Sequence, residues 1–284
     1  MPAEIILPST TAPNFATGSI FFVGTATVIL RYAGFTILTD PNFLHRGDHV
    51  HLGYGLKSVR LTDPAIALED LPPIDCVVLS HMHEDHFDRL VEEKLDKSIP
   101  IITTHQATKS LEKSGFRSLY PLHTWETQTI RKGGATLTLT SLPARHGPPI
   151  INNALPCVMG SLLEFQTPTE SRFQLYITGD TLIYDDLKEI PKRYPNIDLA
   201  LLHLGGTQIF GIWLTMNAKH GIEMIKIVAP RKAIPIHYND YHVFRSPLEE
   251  FIEMVRAEGL DNQVDYLRHG ETYMFEVPTT TRMR

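Results

Sequence analysis

Short runs of apolar or alternating residues open the chain. Residues 19–23, 27–32 and 35–39 are rich in Ile, Val, Phe and Thr, which suit a pleated, half-buried surface, so each is expected to be a strand. Ala33-Gly34 separates the last two as a tight hairpin. A loop over 41–62, rich in Gly, His and Asp, follows. Leu71-Pro72-Pro73 then breaks the chain before a fully apolar strand at 76–79.

Helical and strand patterns alternate from there. A helix is expected over 87–95, a short strand at 101–102 and a second helix over 105–113, stopped by Gly115. Strands are expected at 127–131, 135–142, 158–165, 173–178 and 199–202. In 135–142, Leu137 and Leu139 alternate with Thr136, Thr138 and Thr140, the period of a strand with one buried face. Ala218, Ile222, Ile225 and Ala229 recur at helical spacing, with Thr215 as the expected N-cap and Pro230 as the stop. Ser246-Pro247-Leu248-Glu249 reads as the capping start of a last helix, whose apolar stripe is Leu248, Phe251, Ile252 and Val255. Between these helices a strand at 233–236 delivers His237.

Strands mixed with helices in this way suggest an α/β fold of two packed sheets with helices outside, a four-layer αββα sandwich formed by one domain over 1–284. A weak internal echo supports two similar halves. Phe35-Thr36-Ile37-Leu38-Thr39-Asp40 resembles Leu175-Tyr176-Ile177-Thr178-Gly179-Asp180, and Ile74-Asp75 and Ile197-Asp198 each open an apolar strand.

Composition narrows the function. With 43% hydrophobic and 20% charged residues, the 284-residue chain can bury a sizeable core, which excludes disorder as its main state. A net charge of −6 argues against a nucleic-acid partner held by phosphate neutralisation. No apolar run approaches the ~18–20 residues of a membrane span, and residues 1–15 lack the pattern of a signal peptide, so a cytoplasmic protein is expected. Cys76 and Cys157 both lie in apolar, strand-like runs and read as buried free thiols. The 14 histidines are unevenly spread.

Their densest cluster carries the chemistry. In Ser80-His81-Met82-His83-Glu84-Asp85-His86-Phe87-Asp88, three His and one Asp fall between a buried strand and a helix. Imidazole and carboxylate converging on a rigid strand end are ligands for a borderline divalent ion such as zinc. Four such groups do not fit comfortably around one ion. Two ions are therefore expected, with further ligands from His146, Asp180 and His237, each following an apolar strand.

These motifs resemble the metallo-β-lactamase superfamily over about residues 19–277: His81, His83, Asp85 and His86 match its His-x-His-x-Asp-His motif, and His146, Asp180 and His237 follow in its order. The resemblance implies a dinuclear hydrolase. His81, His83 and His146 would hold one ion, and Asp85, His86 and His237 the other, with Asp180 bridging. A metal-bound hydroxide would attack an ester, lactone, amide or phosphodiester bond. Asp85 and Asp180 would be the catalytic carboxylates, Asp85 orienting the nucleophile or moving a proton, and Asp40 would orient a ligand imidazole. Zinc comes first among the metals, with manganese or iron as alternatives. An iron-dependent oxidoreductase on the same scaffold and a metal-binding module without turnover are the competing readings.

Within the superfamily the chain looks most like the branch of ascorbate-6-phosphate lactonase and N-acyl-phosphatidylethanolamine phospholipase D. The matching runs are Gly24-Thr25-Ala26-Thr27-Val28, Thr39-Asp40-Pro41, Leu71-Pro72-Pro73-Ile74-Asp75, Leu202-His203-Leu204-Gly205-Gly206 and Ile234-Pro235-Ile236-His237-Tyr238. A small or lipid-like substrate follows from that likeness, and a homo-oligomer is compatible with it. Candidate substrate contacts are Arg46, His123, Arg145, Tyr184, His203 and Tyr238. His45, His49 and His51 form either a third metal site or, more plainly, a solvated loop.

Overall fold

The computed structural model of the protein describes residues 4–9, 12–52, 57–152, 154–169 and 171–277. Residues 53–56 of the 41–62 loop and the ends of the expected 1–284 domain therefore lie outside the described residues. Two seven-stranded mixed sheets are stacked face to face. In the first, Thr272–Glu276, Thr17–Gly24, Thr27–Tyr32 and Phe35–Thr39 pair antiparallel, and Cys76–Val78, Ile101–Thr103 and Leu119–Pro121 then continue in parallel. In the second, Thr127–Lys132, Ala135–Leu142, Gly160–Gln166 and Arg172–Ile177 pair antiparallel, and Leu199–His203 and Lys232–Ile236 continue in parallel, with Ile5–Ile6 on the far edge.

Side-chain alternation makes four layers from these two sheets. Cys76 and Val78 face the other sheet, where they share one core with Leu137, Leu139, Leu163, Leu175, Leu201 and Ile234. Val77, between them, faces outward into a second core with Val91 of helix Arg89–Lys94 and Ala107 and Leu111 of helix His105–Lys113. On the opposite face, Ala200 and Leu202 pack outward against Ile222 and Ile225 of helix Ala218–Val228 and Phe251 and Val255 of helix Leu248–Ala257. This is the expected αββα sandwich, and each buried strand reads as continuously apolar because both its faces are covered.

The internal echo is structural. Phe35–Thr39 and Arg172–Ile177 each lie between an antiparallel hairpin partner and a parallel strand. Asp75 accepts the backbone N–H of Thr36 at 2.7 Å, and Asp198 accepts that of Gln174 at 2.9 Å. The two Ile-Asp pairs thus fasten the parallel strand of each half at its start.

Several local expectations are corrected. Asn217, not Thr215, caps helix Ala218–Val228, in a capping box with His220; the Thr215 hydroxyl instead accepts the N–H of Thr207. Ser246 does not cap its own helix, whose N-cap is Pro247. Its hydroxyl accepts the N–H of Ala218 and donates to Glu250, joining the two helices. Cys157 is exposed, because the strand expected over 158–165 starts only at Gly160; Cys76 is buried as expected.

Candidate metal centre

The parallel strands of both sheets end at one place, and the loops leaving them carry the ligand-type side chains. Ser80 and His81 follow Cys76–Val78, Asp180 follows Arg172–Ile177, and His237 follows Lys232–Ile236. Helix Arg89–Lys94 ends the histidine cluster. The Asp88 carboxylate caps it through the N–H groups of Leu90 and Val91, while its other oxygen takes the N–H groups of Phe43 and Leu44. Asp88 thereby clamps the loop after Asp40 against the cluster. Sequence reasoning gave this residue no role, although an Asp just before a helix is an N-cap signal.

The run Gly24-Thr25-Ala26-Thr27 also has a positional task. Thr27 donates its hydroxyl to the Asp40 carbonyl at 2.7 Å, and the Thr25 carbonyl accepts the His237 N–H at 2.6 Å. Thr25, Asp40 and His237 all adopt positive φ, at 52°, 33° and 61°. Non-glycine residues at such angles cost of order 1–3 kcal/mol each and persist where the surroundings fix them. Gly205 makes the His237 conformation attainable: a Cβ there would lie 2.4 Å from the His237 carbonyl oxygen.

Seven expected ligands converge in two groups of three around Asp180. His83 Nδ1 lies 3.0 Å from His81 Nε2 and 3.3 Å from His146 Nε2. His237 Nε2 lies 3.1 Å from His86 Nε2 and 3.4 Å from Asp85 Oδ2. Donors about 2.0–2.1 Å from a tetrahedral ion stand roughly 3.3–3.4 Å apart, so these four contacts have the spacing of ligands around an ion, while His86 Nε2 and Asp85 Oδ2 stand 3.9 Å apart. Asp180 Oδ2 lies 3.9 Å from His81 Nε2, 3.8 Å from His146 Nε2 and 3.3 Å from His86 Nε2, between the groups. Asp85 Oδ1 and Asp180 Oδ1 are buried without a hydrogen-bond partner, acceptors that a cation would satisfy. The donor set therefore fits divalent metal.

Outer partners hold the rings. His146 Nδ1 faces the Leu214 carbonyl at 3.0 Å, and His237 Nδ1 faces that of Leu204 at 3.2 Å. Asp40 accepts the Ser80 N–H on Oδ1 at 2.7 Å and places Oδ2 3.4 Å from His86 Nδ1. Such contacts would aim the opposite nitrogen at a bound ion.

The two groups differ electrically. Burial holds His81 well below the usual histidine range, brings His83 down to about 3 and lowers His146, so these rings are neutral and ready to ligate. Burial also opposes charge on His86 and His237. There the carboxylates win: Asp180, Asp85 and Asp40 raise His86 well above its ordinary value, and Asp180 and Asp85 raise His237. Conversely, burial would raise Asp85 and Asp180, but the facing imidazoles hold Asp85 at about 2 and Asp180 well below the carboxylate range.

The substrate-contact candidates divide. Arg145, beside His146, lays its guanidinium 4.3 Å from the centre of the Tyr184 ring, and both line an open cavity of about 730 Å³. His203 is no substrate contact, because it is fully buried beneath His86. Tyr238 is corrected likewise: its hydroxyl donates to the Leu267 carbonyl at 2.6 Å and its ring joins the inter-sheet core. His123 is exposed and stacks on His105, centroids 4.0 Å apart, with Glu126 beside it, a group separate from the centre. Arg46 is exposed, and no contact of its guanidinium with the centre occurs among the described residues. His45, His49 and His51 do not gather as ligands among the described residues. Instead His51 Nδ1 meets Glu84 at 2.8 Å, and Arg89 ties Glu84 to Asp48, anchoring their loop to the cluster.

Two triads of ligand-type side chains flanking one carboxylate, at the strand ends of an αββα sandwich, are the arrangement of a metallo-β-lactamase-like protein. Residues 36–238 match the model of the "Beta-lactamase superfamily domain", and the chain belongs to that family. It is 26% identical over 260 residues to the UPF0173 protein YddR of Bacillus subtilis, covering 88% of this chain and 97% of that one. It is 27% identical over 205 residues to a UPF0173 metal-dependent hydrolase of Archaeoglobus fulgidus, covering 71% and 82%. The structure of an isothiocyanate hydrolase from Delia radicum gut bacteria shares the fold over 91% of this chain and 99% of that one, with a TM-score of 0.76 at 20% identity.

Proposed function

We propose that the chain is a metal-dependent hydrolase with a dinuclear centre, acting on an ester, lactone or phosphodiester bond of a small or lipid-like substrate. The position of Asp180 carries this reading. Its Oδ2 lies within 3.9 Å of nitrogens from both triads, so one carboxylate can serve two ions. The bound ions would acidify a water and polarise the substrate oxygen.

The protein's own groups do the rest. His81, His83 and His146 present neutral rings to one position, and Asp85, His86 and His237 present a carboxylate and two rings to the other. Asp85 Oδ1, buried and unpartnered, is placed to accept a proton from the attacking water or to orient it. His83 is half-buried whereas the other six candidate ligands are buried, so substrate approaches on its side. Arg145, facing the cavity shared with Tyr184, supplies positive charge for an anionic substrate group. Because the centre draws on residues from 81 to 237 and on both sheets, we treat the chain as one working domain. Among the described residues no helix is long and apolar enough to cross a membrane, and both cysteines are free, which supports a cytoplasmic setting.

The test is a panel of lactones, phosphodiesters, thioesters and β-lactams run on protein reconstituted with zinc, manganese or iron. Metal content is measured in the same samples. Two ions per chain with hydrolysis of a lactone or phosphodiester are expected. Stoichiometric iron with substrate-dependent oxygen consumption and no hydrolysis would replace this reading with an oxidoreductase.

A further inference from the structure

An apolar cavity of about 290 Å³ opens beside the first triad, lined by Leu52, Ile151, Leu155, Ile209, Phe210 and Leu214 among others. A backbone link at Leu214 joins its wall to the metal centre. The Leu214 carbonyl that faces His146 Nδ1 also accepts the Gly147 N–H at 2.9 Å. Gly147 packs against three of the lining residues: a Cβ there would lie 2.8 Å from Leu155 Cδ1, 3.3 Å from Leu214 Cδ2 and 3.4 Å from Ile151 Cδ1. The residue after a triad histidine is thus a glycine whose missing side chain leaves room for three of the lining residues.

The rim carries a second observation. Strands Gln208–Ile209 and Ile212–Trp213 form a hairpin whose two-residue turn, Phe210-Gly211, has φ of 50° and 80°. Positive φ at both positions calls for Asn-Gly or Asp-Gly, and a bulky ring at the first is unfavourable. Phe210 is nevertheless 92% exposed, and Ile150, beside lining residue Ile151, is 90% exposed. Two large apolar side chains in water, one on a strained backbone, contribute nothing to this fold and mark a binding rim.

The geometry points to a subsite for the apolar chain of the substrate, with Phe210 as its outer wall. It rests on the hydrolase reading and narrows it: the scissile bond lies at the metal centre, and an alkyl or acyl chain extends along Ile151, Leu155 and Leu214. The cavity lies at the lower end of small-molecule sites, fitting a short chain rather than a drug-sized group.

Two measurements test this separately from the hydrolysis. On metal-loaded protein, kcat/KM for p-nitrophenyl acetate, butyrate and hexanoate should rise about fourfold per added methylene, the value for a buried CH₂. Phe210→Asn, which suits the turn and removes the ring, and Ile151→Ser should each lower the hexanoate-to-acetate ratio at least about fivefold. On protein with and without metal, 8-anilinonaphthalene-1-sulfonate should fluoresce, be displaced by octanoate, and bind about tenfold more weakly to both variants. Octanoate-displaceable binding lost in both variants, without cleavage of any ester, would support the apolar site while the hydrolase reading fails. Ester cleavage with no dependence on chain length would overturn the subsite. So would a Phe210→Asn protein that keeps its hexanoate-to-acetate ratio but no longer sediments with phosphatidylcholine vesicles, since the rim would then be a membrane-docking surface.

Discussion

His203 lies stacked beneath His86, ring centroids 5.8 Å apart and planes 10° from parallel, and both reach the same oxygen of Asp40. Asp40 Oδ2 is 3.3 Å from His203 Nε2 and 3.4 Å from His86 Nδ1. A carboxylate oxygen only accepts, so the hydrogen between His203 and Asp40 belongs to Nε2, and the Thr178 hydroxyl, which accepts the His203 backbone N–H at 2.9 Å, lies 3.3 Å from Nδ1. His203 therefore carries its hydrogen on Nε2 and donates it to Asp40. That hydrogen bond fixes the carboxylate, which fixes the His86 tautomer. His203→Ala should weaken metal binding at the Asp85–His86–His237 position by about 10- to 100-fold, the range for outer partners, while the His81–His83–His146 position keeps its affinity. Competition with a chelator in a two-step metal titration would show this. Equal loss at both positions would mean general unfolding instead.

Asp180 should matter more than any such outer partner. It is the carboxylate facing both triads, so Asp180→Ala is expected to lower kcat/KM by more than about 100-fold and to leave fewer than two ions per chain. His81→Ala should also abolish hydrolysis. Far-UV circular dichroism should stay native for both variants, because neither side chain belongs to a hydrophobic core cluster. Full activity with unchanged metal content in both would reject the assignment of the centre.

How much of this centre a sequence shows depends on where specification is local. The strands at 27–32, 35–39 and 135–142 were readable because alternation and β-branched residues mark them, and the observed bounds agree. The candidate ligands stand out in the sequence because each follows an apolar strand. His203, Tyr238 and Ser246 were not, since the partner that decides the role of each is remote in sequence: Asp40, Leu267 and Ala218. Edge strand Leu119–Pro121 has no buried residue and so left no clear periodic signal. The apolar cavity is built from loops 145–157 and 205–216, whose conformation no hydrophobic period encodes.

The unequal charge states of the triads predict where protons leave on metal binding. His81, His83 and His146 are held neutral, so filling their position at pH 7 should release essentially no protons. His86 is raised well above the ordinary value of 6.5 and His237 is raised as well, so filling the second position should release protons. A zinc titration in lightly buffered indicator at pH 7 should show the release in one of its two steps. Equal release in both steps would contradict the difference.

The same shifts set the pH dependence of stability in metal-free protein. His83 titrates near 3 when folded and near 6.5 when unfolded, so its contribution is present above about 6.5 and is lost as pH falls from there toward 3. Lowered His81 and His146 act in the same sense. His86 and His237 act oppositely: their contribution is complete below about 6.5 and is lost as pH rises through their raised values. Urea midpoints of metal-free protein should therefore peak near pH 6.5 and fall on both sides, by up to about 1.4 kcal/mol per pH unit for each group. Zinc should remove the alkaline limb, because His86 and His237 are then deprotonated ligands. An alkaline limb unchanged by zinc would place the ion elsewhere.

Asp88 supports a prediction about stability alone. Its carboxylate accepts four backbone N–H groups, from Leu90 and Val91 at the helix start and from Phe43 and Leu44 in the loop after Asp40. Loss of the cap alone costs about 0.5–2 kcal/mol. Phe43 and Leu44 are both buried, and each N–H left without a partner adds about 1–3 kcal/mol. Asp88→Ala should therefore destabilise the protein by about 2.5–8 kcal/mol, whereas Asp88→Asn, which keeps oxygen acceptance on one arm of the clamp, should cost about half as much. Because the loop it holds begins at Asp40, Asp88→Ala should also loosen metal binding at the His86 position before global unfolding. Chemical denaturation of the metal-loaded variants, followed in parallel by metal release, measures both effects. Metal release that coincides with unfolding in Asp88→Ala would show that the clamp serves the helix and not the centre.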